Sequence, residues 1–424
     1  MSARDVIPSS LAEQVDSAAQ AVEARVLAWR RDLHQHPELG NREFRTAAIV
    51  AAHLREIGLD EVRTEVAHTG VVGLLKGALP GPTVALRADM DGLPVTEQVD
   101  VPFASKARTQ WNGEEVGVMH ACGHDCHVAI LMGVAEVLSG LRGQLRGNVK
   151  FIFQPAEEGA PESEEGGAKM MIQQGALEKP VPQAIFGLHV TSRLPVGIVG
   201  YRPGPTMASS DRFRITVHGK QTHGAAPWLG VDPIVTAAQV VLGLQTVVSR
   251  GVDIAREPAV VTVGMIRGGV RENIIPDEVE MRGTIRAFDE GMRDDIHERV
   301  TTLAEAISRG SRAGCTVCIN KNYPVTVNDP ALTEAMVPTL QRVAGEGRCQ
   351  LVPKVTGAED FSFFQQVIPG LFFFVGVTPE GVEPAKTYSN HSPKFFADER
   401  GLLVGVRALA HLACDFLESN VTAR

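Results

Sequence analysis

An α/β fold carrying an inserted second domain is predicted for this chain, on three observations. Apolar runs that read as strands alternate with segments of helical period. Chemically capable polar side chains sit where those runs end, which is where open sheets flanked by helices place their sites. Residues from about 204 to 322 then change character, to the order strand, helix, strand, strand, helix, strand. That order is the ferredoxin-like split motif. The expected architecture is therefore a central mixed sheet flanked by helices, formed by residues 1–203 and 323–424, with a βαββαβ domain at 204–322.

In chain order, residues 10–33 have Leu11, Val15, Ala18, Ala19, Val22 and Val26 at helical spacing, and 46–57 read as a second helix. TVALRADM, from Thr83, is a short buried strand running into Asp89 and Asp91. A helix is expected over 128–141, with Ile130, Leu131, Val134, Val137 and Leu138 on one side. Strands follow at 149–153 (VKFIF), ending at Glu157 and Glu158, and at 184–189 (AIFGLH), ending at His189. LFFFVGV at 371–377 is the fourth, ahead of His391. Within the insertion, DRFRITVHG alternates with period two. A helix at 232–249, the strands PAVVTVGMI and EVEMRGTIRAF, a helix at 291–309 and TVCINKNY complete it.

A chain of 424 residues, 44% hydrophobic and 21% charged, can build two or three cores of an ordinary globular kind. A net charge of −9 and only three Trp and three Tyr argue against nucleic acid, which needs clustered cations and stacking rings. The first twenty residues hold no apolar core of a signal peptide, and no run approaches the ~18 apolar residues of a membrane span. Six cysteines do not make a disulfide framework at this length. A cytoplasmic enzyme, with no membrane partner, is expected.

The chemistry concentrates in HACGHDCH, His120 to His127, where three histidines, two cysteines and an aspartate fall within eight residues. Metal binding is the main role that asks for such density. Cys122 and His124 can reach one cluster from a single loop, and the start of the following helix favours an anionic Cys122. His120 and His127 divide between orienting the ligands and solvated loop positions, and Cys126 reads as packing. Adjacent carboxylates on a turn point in different directions, so one of Glu157 and Glu158 can hold metal while the other acts as general base. Asp89 and Asp91, two apart on an extended chain, share a face and suit either metal or the orientation of a histidine. In the insertion, His223 (QTHGAAP), Asn273 (RENIIP) and Arg286 (GTIRAF) would suit an oxyanion and a substrate carboxylate. Cys315 and Cys318 lie in a strand and are poorly matched for redox chemistry.

Together HACGHDCH, RADMDGLP, QPAEEG with GGAKMMI, GLHV, THGAAP, RENIIP, GAEDFSFF and NHSPKF resemble the aminoacylase/carboxypeptidase-type dinuclear metallohydrolases. The branch they look most like is the N-acyl-amino-acid amidohydrolases, which include hippurate hydrolases and plant auxin-conjugate hydrolases. The similarity runs over about residues 30–417. It implies a catalytic domain and a lid that mediates dimerisation or higher self-assembly. It implies two divalent ions (Zn²⁺, Mn²⁺, Co²⁺ or Ni²⁺) on Cys122, His124, Glu158, His189 and His391, with Glu157 as base and Asp91 beside the site. His223 matches a residue that reaches the reacting carbonyl from the partner's lid, and Asn273 and Arg286 match positions near the substrate carboxylate. Related branches place a metal-binding histidine where this chain has Asp89. The implied substrate is a small N-acyl amino acid; a dipeptidase or carboxypeptidase with the same centre, a non-catalytic binding protein and a thiol-redox protein are the alternatives.

Overall fold

The computed structural model describes residues 10–111 and 113–419, in two units. The larger comprises Met1–Gly204, Asn328–Val352 and Phe363–Arg424; the smaller comprises Pro205–Val327 and Pro353–Ser362. The short second stretch of the smaller unit lies outside the single segment the sequence suggests. Backbone pairing explains it: Ala208 N donates to the carbonyls of Val355 and Gly357, and Val355 N to that of Thr206.

The larger unit begins with α1 (Leu11–Gln35), α2 (Phe44–Glu56), β1 (Glu61–Val66), β2 (Gly70–Lys76) and β3 (Leu79–Asp89). It continues with α3 (His124–Gly140), β4 (Arg146–Gln154), β5 (Ala184–Pro195) and β6 (Val199–Tyr201). The smaller unit supplies β7 (Ser210–His218), α4 (Pro233–Gly251), β8 (Ala259–Gly268), β9 (Glu278–Ala287), α5 (Glu290–Gly310) and β10 (Gly314–Tyr323). The chain returns to the larger unit with α6 (Pro330–Ala344), β11 (Cys349–Leu351), β12 (Gly370–Thr378) and α7 (Arg400–Glu418).

The larger sheet has the order β1-β2-β4-β3-β5-β12-β6-β11. Its four central strands, β4, β3, β5 and β12, are parallel. These are the four apolar runs the sequence marks as strands. Antiparallel pairs at β1–β2, β2–β4 and β12–β6 make the sheet mixed. β1 has only Val66 buried, too little periodicity to be read from sequence. From β3 the chain passes through α3 to β4 on one side, while β5 lies on the other, so the strand order reverses at the C-terminal end of β3. Crevices at such reversals are the usual ligand sites of open α/β sheets.

α1 starts at a capping box, with Glu13 N donating to Ser10 Oγ and Ser10 N to the Glu13 carboxylate. Its stripe of Val15, Ala19, Val22, Val26 and Leu33 is buried. α3 is buried on nearly all sides, as an all-round apolar helix must be. It begins at His124, four residues before the sequence expectation. Gly123 is its left-handed N-cap (φ 96°), and a Cβ there would stand 2.4 Å from Val190. His124 and His127 therefore ride on a helix turn, not in an extended loop.

The smaller unit is an antiparallel sheet of order β8-β9-β7-β10 with α4 and α5 packed against it, the ferredoxin-like arrangement. Phe213, Ile215 and Val217 of β7 alternate inward to meet Ala237, Val240 and Leu244 of α4 and Ile296 and Val300 of α5. Asp211 anchors this core. Its fully buried carboxylate takes two hydrogen bonds from Arg293 (2.8 and 2.5 Å), one from His297 (2.8 Å) and one from Asn322 N (3.1 Å). Burial opposes the charge, but Arg293 and His297 outweigh it and hold the carboxyl at about 2. Among the described helices, only α4 has the length and mean hydropathy (1.2) of a membrane span. Its buried stripe packs on the small sheet.

Candidate metal centre

β3 ends by delivering two aspartates into the crevice. Asp89 is wholly buried, held at 2.7 Å by Arg87, which also donates to Gln154 at the end of β4. Its other oxygen lies 2.5 Å from His127 Nδ1. Burial raises its pKa, but His124, His127 and Arg87 outweigh that and hold it well below the carboxylate range. His127 Nε2 accepts the Val190 N–H at 2.9 Å, so both its ring nitrogens are engaged and the proton sits on Nδ1. His127 is thus a buried orienting group between β3 and β5.

Asp91 joins the two carboxylates of the next strand end to the helix turn. Oδ1 accepts from Glu157 N (3.0 Å) and pairs with His124 Nδ1 (3.2 Å), while Oδ2 accepts from Glu158 N (2.9 Å). One side chain thereby orients the imidazole and fixes the turn that carries both glutamates. The turn is unusual: Ala156 has φ 51°, a left-handed conformation that L residues avoid without compensation.

The remaining predicted ligands converge on Cys122. Its Sγ lies 3.3 Å from His189 Nε2 and 3.2 Å from His391 Nε2. His189 donates its Nδ1–H to Val190 O at 2.7 Å, leaving Nε2 toward the thiol. His391 Nε2 is 2.8 Å from Glu158 Oε1, and His124 Nε2 is 4.0 Å from Glu157 Oε2. His391 itself has φ 71° and is pinned by its N–H to Ala121 O. The close groups of donor atoms among the described residues include Cys122, His124 and His189; Cys122, Glu158 and His391; His124, Glu157 and Glu158; and Asp89, His124 and His127.

The donor set fits divalent cations. The buried His124 Nε2 has no hydrogen-bond partner among the described residues, with Nδ1 committed to Asp91. Burial disfavours its charged form, yet Asp89 and Asp91 raise it to about 10. The same carboxylates would also attract a metal ion. At Cys122 the expected helix-terminus effect is overridden: burial first, then Glu158, Glu157 and Asp89, push the thiol well above its ordinary value. A cation among these carboxylates would reverse that balance, because thiolate ligands form by giving up their proton to the metal.

His120 is buried rather than solvated, has neither ring nitrogen hydrogen-bonded among the described residues, and is pushed by burial to about 4. Cys126 is fully buried, as packing requires. In the smaller unit, His223 and Asn273 come together, with His223 paired to Ile274 and Gly224 N donating to Asn273 O at 2.8 Å. Both are exposed. Arg286 stands on β9, half-buried, donating to Thr284 Oγ1 and Ile285 O. Cys315 and Cys318 alternate across β10, and all six cysteines are free thiols.

Sequence reasoning missed four groups that hold this site. Arg87 was marked only by being the one basic residue in an apolar strand. Asn390 donates to Cys122 O (2.9 Å) and Val190 O (3.1 Å), and nothing but adjacency to His391 signals it. His34 bridges Asp125 (2.8 Å) and Glu97 (2.9 Å), with Arg30 on Asp125 at 3.1 Å. Burial opposes a charge on His34, but the two carboxylates raise its pKa. Glu43, also buried, accepts the Ala156 N–H.

Fold and site together define a metal-dependent amidohydrolase. The chain belongs to Peptidase family M20/M25/M40, which it matches over residues 85–415. It is 39% identical over 407 residues to thermostable carboxypeptidase 2 of Saccharolobus solfataricus, covering 96% of this chain and 99% of that one. It is 38% identical to N-acetylcysteine deacetylase of Bacillus subtilis, covering 95% and 99%. Among solved structures, the Bacillus subtilis YXEP protein, a dinuclear metal-binding peptidase of family M20, superposes with a TM-score of 0.78. That match is at 36% identity and covers 94% of this chain and 99% of that one.

Proposed function

We propose that this chain hydrolyses the amide bond of N-acyl amino acids, releasing a carboxylate and a free amino acid. The observation that carries the reading is the division of labour between adjacent carboxylates: Glu158 turns to Cys122 and His391, Glu157 toward His124. Cys122, His124, Glu158, His189 and His391 would hold two divalent ions, with Cys122 common to two donor groups. Thiolate suits Zn²⁺, while imidazole and carboxylate also suit Mn²⁺, Co²⁺ or Ni²⁺. When bound, such ions bring a water's pKa from 15.7 to about 7 and polarise an acyl carbonyl.

Glu157 takes the proton of the attacking water and returns it to the nitrogen of the departing amino acid. Asp91 keeps Glu157 and His124 in register while this happens. His223 would donate to the oxyanion, and Asn273 and Arg286 would bind the substrate carboxylate, as the family resemblance implies. The smaller unit is proposed as a lid through which two copies, or more, associate. Support comes from α4, which exposes Ile234, Val235 and Leu242 (72% exposed), and from β8, an edge strand exposing Val260 and Ile266. An apolar helix face beside an unpaired edge is a surface a second copy can cover. A cytoplasmic location accords with the reduced thiol that Cys122 must supply.

Cleavage of peptides by the same centre is the second reading, favoured by the similarity to a carboxypeptidase. The test is release of amino acid from N-acetyl, N-benzoyl and indole-acetyl amino acids and from dipeptides, on chelated enzyme resupplied with Zn²⁺, Mn²⁺ or Co²⁺. Metal-dependent turnover of acyl amino acids, lost in Glu157→Gln, supports the proposal. Turnover of dipeptides alone moves the protein to the second reading, and metal binding without turnover refutes both.

A further inference from the structure

Residues 37–43 touch both turns that carry the site. Glu38 O accepts Gly92 N (2.7 Å), next to Asp91, and Leu39 bridges to Gly92. Asn41 Nδ2 donates to Glu165 O and the Glu164 carboxylate, both at 3.0 Å. Gly40 packs so closely on the turn after β4 that a Cβ there would lie 2.9 Å from Gly159 O and 3.1 Å from Ala156 Cβ. At the end of this segment Glu43, with no exposed surface, accepts Ala156 N at 2.9 Å through Oε1, while Thr69 Oγ1 donates to Oε2 at 2.5 Å.

Ala156 stands one residue before Glu157, in the left-handed region, and is itself buried. Such a conformation in a residue with a Cβ persists only where its surroundings impose it. Its N–H must also find an acceptor in the interior, since a buried unpaired donor is costly. Glu43 supplies that acceptor. The direction in which Glu157 and Glu158 leave the sheet follows directly from the Ala156 dihedrals.

We propose that Glu43 is a positioning residue for the Glu157–Glu158 pair, acting through its hydrogen bond to the left-handed Ala156. The inference rests on the metal-and-base reading of those glutamates. A glutamine can make the same two contacts, since its carbonyl accepts from Ala156 N and its amide donates to the Thr69 hydroxyl, which both donates and accepts. A leucine can make neither.

The test measures Co²⁺ affinity and visible absorption without substrate, then kcat/KM, for Glu43→Gln, Glu43→Leu and Glu43→Leu with Ala156→Gly. Loss of a group that orients metal ligands typically costs ~10–100-fold in affinity or activity, and that is expected for Glu43→Leu, with an altered Co²⁺ spectrum. Glu43→Gln should stay within about threefold of the parent, by the same contacts. Glycine adopts positive φ without penalty, so the double variant should regain roughly fivefold or more over Glu43→Leu. Three results overturn the proposal: Glu43→Leu lowering thermal stability alone with Co²⁺ binding intact, Glu43→Gln as impaired as Glu43→Leu, or no gain from Ala156→Gly. If Glu43→Leu does not fold, the near-isosteric Thr69→Val carries the test; an about three- to tenfold loss, reversed by Ala156→Gly, supports it, and no loss overturns it. A parent protein that binds no Co²⁺ would instead sink the metal reading, and this inference with it.

Discussion

Replacing Asp91 by asparagine isolates the side chain on which the site's geometry turns. The carboxylate accepts Glu158 N on one oxygen and Glu157 N on the other, the latter also meeting His124 Nδ1. Asparagine offers one acceptor oxygen and one amide group. In its better orientation the oxygen keeps Glu157 and His124, and the amide then faces the Glu158 N–H, donor against donor. At least one charge-assisted hydrogen bond is lost, worth about 1.5–3 kcal/mol. At about 1.4 kcal/mol per factor of ten, that is roughly a 10- to 150-fold loss. It should fall on metal affinity and on kcat/KM together, because Glu158 is proposed as a ligand and Glu157 as the base. Titration with Co²⁺, and amino-acid release from whichever acyl amino acid the parent turns over best, read the two quantities. A variant within threefold of the parent in both would refute the role given to Asp91, provided its thermal midpoint shows it folded.

Glu157→Gln should keep metal affinity close to that of the parent while kcat falls by ~10²–10⁴, the usual contribution of a placed base; equal loss of metal would make Glu157 a ligand instead. Cys122→Ala should abolish the sulfur-to-metal charge-transfer absorption of the Co²⁺ form and weaken metal binding; an unchanged spectrum would remove Cys122 from the ligand set. Leu242→Glu, placed on the exposed face of α4, should shift the sedimentation coefficient from that of an assembly to that of a monomer; no shift would rule that face out as the contact. Asp211 has its pKa depressed to about 2 in the fold, from 3.8. Its stabilisation is therefore fully present above about pH 4 and is lost as pH falls through about 2, a pH-linked part of about 2 kcal/mol. The gap in thermal midpoint between the parent and Asp211→Asn should narrow across that window, and a gap constant from pH 7 to pH 2.5 would contradict the assignment.

Much of this molecule was legible from sequence because its site residues lie next to strong local signals. Asp89, Glu157 and His189 each follow or end an apolar run, and those runs are β3, β4 and β5, neighbours in the sheet. Parallel central strands are buried on both faces, so their sequences are continuously apolar and easily seen. The density of HACGHDCH did the same for Cys122 and His124. α3 starts before the predicted position because its boundary is set by the left-handed Gly123 and not by apolar periodicity. His120 and His127 were ambiguous for a related reason: local sequence does not say that Val190 N–H will meet His127, 63 residues away.

The sequence by itself determined the central mixed sheet, the βαββαβ insertion and the identity of the side chains that gather at the strand ends, because hydrophobic period and residue chemistry are local properties. Tertiary structure alone decided how those side chains are used. It gave His127 to Asp89 and Val190, turned Glu158 toward His391 and Glu157 toward His124, and brought Asp91 under both glutamates. It also recruited Glu43 and Asn390, which no motif marks, since a hydrogen bond across 113 or 268 residues leaves no periodic trace in the chain. Orientation of this kind is fixed by what packs behind a side chain, and that is known only once the chain has folded.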